Sequence, residues 1–334
     1  MSELSAPVAN SAIGKGRGNL LRTLLILTFT ALLVFFSLFA PGFFTLSNIE
    51  SVLLNNVAPL AIAALAMTLV TSMGAVDLSI GTSIDFACLV LVTLVLHQVA
   101  LPVALFAALL AALLAALGVG LFNAFLVAIL GVEPFLATLG TLFIGQSVQQ
   151  LSSNGGQPIY LLSQVLPDGF STISHGALLG VPLPLWYVLV LALVLHLLLH
   201  RTRHGRALTF IGTQASVARY SGIGVGRLTA VAFVLGAVIA GVVGLMLASN
   251  VKAWVPLSGN AYLLNAIGAA FIGTTFSSSR RANVPGTLLG VILLSFVANG
   301  LLLIGWNFYW QQVASGVLIF VVLAAGALSA RQKH

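Results

Sequence analysis

Residues 101–120 read LPVALFAALLAALLAALGVG. They carry no charge and no hydroxyl or amide side chain, and they match the roughly 20 residues a helix needs to cross a bilayer core about 30 Å thick. A strand of a membrane barrel would alternate apolar and polar residues, whereas this run is apolar on every side. The stretch reads as a helix in lipid. It also carries a ridge. Ala104, Ala108, Ala112, Ala116 and Gly120 recur every fourth residue, and small side chains on one face let a second helix backbone come close. Gly236, Ala240 and Gly244 repeat the pattern.

Outward from this run, comparable apolar windows fall near 20–41, 52–74, 80–97, 134–152, 184–200, 228–249, 262–276, 284–304 and 308–328. Together they predict an all-α, polytopic membrane protein of about ten transmembrane helices, with a single transmembrane domain over residues 20–330. Only 6% of the 334 residues are charged, against about 25% in a soluble domain. The polar stretches are too short to build a core of their own, which leaves no room for a soluble catalytic domain. Lys15, Arg17 and Arg22, followed by an apolar run to Ala40, resemble a signal peptide. The run is close to span length, however, and Pro41 follows it, so it reads as a retained first helix. Cys88 is the single cysteine and can form no disulfide within the chain.

The basic residues set the expected orientation. With the N-terminus inside and ten spans, twelve of the thirteen Lys and Arg fall on the cytoplasmic side and Lys252 alone outside, as the positive-inside rule asks. Both termini (tails 1–19 and 331–334) and the segment 201–227 are then cytoplasmic, and 153–183 is a periplasmic loop. The net charge of +7 marks cytoplasmic loops. It does not mark a nucleic-acid surface, because the basic residues are not interleaved with aromatics on a solvated face.

No catalytic motif is present: no Gly-x-Ser-x-Gly elbow, no cysteine pair and no His-Glu-x-x-His. No catalytic residue is therefore expected. His196, His200 and His204 share one helix face, yet a metal site of that kind adds a carboxylate or thiolate. They read as an interfacial run, and neither metal nor cofactor is expected. No Gly-x4-Gly-Lys-Ser/Thr occurs either, so the chain does not cradle nucleotide phosphates. In GAVDLSIGT, residues 74–82, a glycine ends one apolar helix and an aspartate begins the next. Asp77 either caps the following helix or lines a path, because broken backbone in a membrane is tolerated only where it is buried in protein or faces a cavity. An ion-driven carrier would place ionisable groups inside helices, and Asp77 and Asp85 are its candidates.

Several motifs follow one another in a specific order: Asp77-Leu78-Ser79-Ile80-Gly81, Pro134-Phe135-Leu136-Ala137-Thr138-Leu139-Gly140, Ala266-Ile267-Gly268-Ala269-Ala270-Phe271-Ile272-Gly273, Gly286-Thr287-Leu288-Leu289-Gly290, Asn299-Gly300-Leu301 and Tyr309-Trp310-Gln311. Between them, Ile211-Gly212 is followed by Ala218 and Ser221-Gly222-Ile223. In this order and spacing the chain resembles the permease subunits of ABC importers for ribose and related sugars, from Leu46 to Leu328. It departs from that pattern at Gly74-Ala75, where the family has paired glycines, and at Thr274–Arg281, where the family has a glycine-rich turn.

The resemblance implies a bacterial inner-membrane subunit that works beside a second permease copy or homologue, ATP-binding cassette subunits and a periplasmic sugar-binding protein. ATP hydrolysis then belongs to a separate subunit. The resemblance also makes 201–227 the coupling segment, with Gly212, Gln214, Ala215, Ala218, Arg219, Tyr220, Ser221, Gly222 and Ile223 meeting the ATPase. A short helix of small side chains anchored by Tyr220 and Ile223 fits a partner groove, and the flanking arginines hold it at the lipid surface. Asp77, Ser79, Asn265 and Asn299 are the expected substrate-path residues. Members of this family import ribose, other pentoses and hexoses, inositol and furanosyl autoinducers, and the sequence leaves that choice open. The alternative reading is an ion-coupled secondary carrier using Asp77 or Asp85.

Overall fold

The computed structural model describes Thr23 and residues 26–97, 102–161, 166–277 and 281–331. Lys15, Arg17, Arg22, Arg280 and Lys333, which enter the expected orientation, lie outside the described residues, as do the tail 1–19 and residues 332–334. The helices are α1 (Ile26–Phe39), α2 (Leu46–Thr71), α3 (Ile80–Leu96), α4 (Pro102–Ala124, running on to Ile129), α5 (Pro134–Ser152), the short α6 (Thr172–His175), α7 (Leu183–Arg201), α8 (Arg203–Thr213), α9 (Ala215–Tyr220), α10 (Val225–Val251), α11 (Gly259–Thr275), α12 (Val284–Leu303) and α13 (Phe308–Arg331). Two antiparallel ribbons complete the inventory. β1 (Ile159–Tyr160) pairs with β4 (Ala253–Trp254), and β2 (Ala177–Leu178) pairs with β3 (Val181–Pro182).

A helix lies in each of the apolar windows. Among the described residues, five helices are both long and apolar enough to cross a membrane: Leu46–Thr71, Leu105–Ile129, Leu183–Arg201, Val225–Val251 and Val284–Leu303. Ile26–Phe39, Ile80–Leu96 and Phe308–Val322 are apolar but shorter. Part of the shortening has a local source. α3 starts only after the irregular corner 72–79, and α11 only after the irregular corner 252–258. α2 contains a further departure, a π-helical turn over Val52–Val57. Pro59 follows it, and a proline ring cannot share space with the carbonyl four residues earlier, here Asn55 inside the widened turn.

Contacts divide the chain into two compact units, one of Leu53–Ile267 and one of the residues up to Val52 together with those from Gly268 onward. In the first unit α10 packs against α2, α3 and α4. The ridge of α4 meets α10: a Cβ on Gly120 would stand 2.8 Å from the Ala237 Cβ, and one on Gly241 would stand 2.8 Å from the Ala116 Cβ. The ridge of α10 turns elsewhere. A Cβ on Gly236 would stand 3.3 Å from Val70 of α2, and one on Gly244 would stand 2.9 Å from Ala87 Cβ and Cys88 N of α3. Lipid tails are as apolar as leucine, so helices gain little by hiding apolar surface from them. Close backbone approach and dispersion must supply the attraction, which is why a small residue stands at each crossing. α2 is enclosed on all sides from Ala58 to Val70.

In the second unit Phe36, Ala40 and Phe43 pack with Val297 and Leu301, and Gly300 leaves room for the Phe36 ring. Asn48 and Asn299 form a reciprocal amide pair, each donating Nδ2 to the other's Oδ1 at 3.0 and 3.1 Å. At the turn into α12, Asn283 Oδ1 accepts from Gly286 N at 2.8 Å while its Nδ2 donates to Gly273 O at 3.1 Å. One asparagine thus joins the end of α11 to the start of α12.

Candidate functional site

The basic segment 201–227 folds as two helices. Thr202 Oγ1 caps α8 by accepting from Gly205 N at 3.1 Å, and Gly205 lies against the backbone of Leu198 and Leu199. α8 therefore doubles back on α7 and buries Leu208 and Ile211. Gln214 ends α8 and begins α9. α9 stops at Gly222, whose φ of +76° suits a residue without a Cβ. Ile223 N donates to Ala218 O at 3.1 Å and Gly222 N to Arg219 O at 3.2 Å, the paired bonds of a Schellman motif. Ser221-Gly222-Ile223 is thus a helix stop.

The stop sorts the coupling candidates. Ala218 is fully buried and Ile223 half-buried within this chain, so these two hold α9 in place. Gly212, Gln214, Ala215, Arg219, Ser221 and Gly222 are exposed, and Tyr220 is 93% exposed. Val217, three residues before Tyr220 and absent from the expected set, is also exposed. Residues three apart share a helix face, so the spacing alone could have found it.

The end of α8 rests on the corner between α2 and α3. A Cβ on Gly212 would lie 2.8 Å from Ser72 O and 2.9 Å from Gly74 N, and one on Gly74 would lie 3.1 Å from Gly212 O. Gly74 has φ +80°. Farther along the corner, Asp77 Oδ1 accepts from Ser79 N at 2.8 Å and from Ser79 Oγ at 2.6 Å, a local turn in which an aspartate answers the backbone two residues on. Ser79 Oγ accepts from Asn123 Nδ2 at 2.6 Å, and Asn123 Oδ1 accepts from Thr141 Oγ1 at 2.6 Å. All four side chains are buried. Asn123 and Thr141 escaped the sequence reading, although Asn123 is the one polar side chain in 102–129 and a polar group in such a run seeks a partner across helices.

The other aspartate works at a distance. Asp85 Oδ1 accepts from Gly259 N at 2.8 Å and Ser258 Oγ at 2.9 Å, capping α11. Gln149 Oε1 takes Leu257 N at 2.8 Å. Of the substrate-path candidates, Asp77 and Ser79 come together. Asn265 donates to Ala261 O in its own helix at 3.0 Å, and Asn299 is held by Asn48. His196 and His200 stack with ring centres 4.5 Å apart.

Membrane-length helices packed through small residues and joined by buried polar corners define a multi-pass membrane protein. Residues 49–323 match the family described as branched-chain amino acid transport system / permease component, and the chain belongs to that family. It is 29% identical over 298 residues to the ribose import permease protein RbsC of Escherichia coli K12, covering 89% of this chain and 91% of that one. It is 34% identical over 304 residues to the probable ABC transporter permease protein YphD of the same organism, covering 91% and 89%. With the autoinducer 2 import system permease protein LsrD of Yersinia enterocolitica it shares 32% over 296 residues, 86% and 88% of the two chains. No solved structure matches it.

Proposed function

We propose that this chain is the transmembrane permease subunit of an ATP-driven importer for ribose or a related sugar in a bacterial inner membrane. Its partners are ATP-binding cassette subunits, a periplasmic sugar-binding protein and a second permease copy or homologue. The observation that carries the reading is α9. A six-residue helix, fixed by its buried Ala218 and its glycine stop, presents Tyr220 and Val217 outward in a segment of five arginines and no acid. An exposed aromatic on a rigid support is the anchor a partner groove needs. The chain carries no phosphate-cradling loop, so ATP hydrolysis belongs to the subunit that binds there.

The family description mentions amino acids, whereas two of the three named relatives are described as ribose and autoinducer 2 import permeases and the third, YphD, carries no named substrate. Likeness over about nine-tenths of both chains favours the polyhydroxylated solutes. The ion-coupled alternative loses ground at Asp77, which is engaged by Ser79, whereas Asp85 caps α11 through Oδ1 and leaves Oδ2 buried without a hydrogen-bond partner among the described residues.

The test is reconstitution with the ATP-binding subunits and binding protein in proteoliposomes, with radiolabelled ribose as first probe and xylose, galactose and autoinducer 2 as the panel. Uptake should require ATP. Tyr220→Ala should cut stimulated ATP hydrolysis by roughly ten- to thirtyfold, the loss of one anchor residue. Uptake driven by an ion gradient without the ATPase would replace this reading with the carrier.

A further inference from the structure

We propose that the Gly74–Gly212 contact and the buried chain Asp77–Ser79–Asn123–Thr141 form a positioning relay that passes movement of α8 and α9 into the start of α3, the end of α4 and the first half of α5. The proposal rests on the reading that α9 docks on an ATP-binding subunit, and it names the residues through which that docking is felt. Gln214 is shared by α8 and α9, so a load on Tyr220 reaches α8 without an intervening loop. α8 meets the α2–α3 corner backbone to backbone, because neither Gly212 nor Gly74 carries a side chain that could yield by changing rotamer. The corner then leads within five residues to Ser79, held by two bonds to Asp77.

From Ser79 the path leaves the corner. Its hydroxyl is bonded to Asn123 on α4, and Asn123 to Thr141 on α5. These groups are buried, so a displaced member either carries its neighbours along or leaves a polar atom unpaired, which costs about 1–3 kcal/mol. Asn123 also stands two residues before the π-helical turn Phe125–Ile129. π-helical turns inside α-helices recur at functional sites, so the relay ends beside a departure from regular helix in α4.

Hydrogen exchange on the whole permease in lipid nanodiscs, with its ATP-binding subunits and with or without AMP-PNP, tests this. Docking is read as protection of 212–223. The relay is read as a nucleotide-dependent change in exchange at 75–80 and 123–130. In Gly74→Ala, whose new Cβ would stand 3.1 Å from Gly212 O, we expect docking protection to persist while the nucleotide-dependent change at 75–80 falls by about tenfold and sugar uptake per ATP falls with it. In Ser79→Ala the corner should still respond and 123–130 should not. Gly180→Ala is the control, since Gly180 shares the positive φ (+78°), and so the strain of an added Cβ, but has nothing within 4 Å of it. It should keep the wild-type nucleotide response at 75–80 and 123–130. If Gly74→Ala fails to fold, Ser79→Ala decides. Wild-type docking protection with no change at 75–80, or both variants matching wild type, would overturn the relay while leaving the ATPase reading intact. Absence of docking protection in the wild type would remove that reading and the relay with it.

Discussion

Two irregular corners between Leu53 and Ile267 each depend on one aspartate. The corner 72–79 turns on its own residues, with Gly74 supplying the left-handed backbone and Asp77 bonding a residue two places on, while Asn123 and Thr138 bond to it from α4 and α5. The corner 252–259 is held from outside. Lys252 and Leu257 take φ values of +53° and +64° without help from glycine, Asp85 of α3 caps its last residue, and Gln149 of α5 takes Leu257 N. A left-handed conformation costs a non-glycine residue about 1–2 kcal/mol, so the second corner persists because remote groups impose it. One corner takes its turn from its own eight residues and the other from groups far along the chain.

The largest test of that contrast is Asp85→Ala. Gly259 N and Ser258 Oγ would lose their acceptor inside the protein, and we expect a loss on the order of 3 kcal/mol in SDS-titration unfolding. Asp85→Asn keeps the oxygen and should lose less than half as much. A cost for Asp85→Ala below that of Asp77→Ala would break the comparison. Next comes Gly259→Ala, whose new Cβ would collide with the Gly81 backbone. Overpacking of this kind costs about 1–3 kcal/mol, read by the same titration. Asp77→Ala should be milder, about 1–2 kcal/mol, because the bonds it removes are local and near a helix end. Asp77→Asn should stay within about 0.5 kcal/mol of wild type and retain ATP-driven uptake, since the amide oxygen still accepts. Loss of uptake in that variant would restore an ionic role for Asp77. Smallest is Lys252→Gly, expected to stabilise by up to about 1 kcal/mol by relieving the positive φ, seen as a higher thermal midpoint in detergent. Destabilisation there would mean that Lys252 is held by contacts of its side chain.

The same contrast explains what could be read from the sequence. The windows were legible because each helix announces itself in its own residues. The ridge of α4 was legible as a ridge, although periodicity does not say that α10 is its partner. Asp77 beside a glycine was legible as a capping group, with the detail that it serves Ser79 rather than the next turn. Asp85 could be read only as an ionisable residue in a helix, because its partners lie 173 and 174 positions away. Thr141 is opaque for the same reason, being ordinary in its own helix, whereas Asn123, the one polar side chain in 102–129, signals a partner across helices without saying which. In 201–227 the short helix was foreseeable. That Ala218 faces inward could not be read, because a small residue suits a helix–helix contact and a partner groove equally well.

The Asp85 cap also sets a timetable for synthesis. Gly259 is polymerised 174 residues after Asp85, which at about 5–20 residues per second is roughly 9–35 seconds. Throughout that interval α3 is a short apolar helix carrying an aspartate whose acceptor has no partner from the later corner, and a carboxylate near the middle of a membrane helix costs about 2.5–3.5 kcal/mol to insert. Either the nascent helix waits near the translocon or its aspartate stays hydrated until α11 arrives. The order of translation thereby becomes part of how this bundle is assembled.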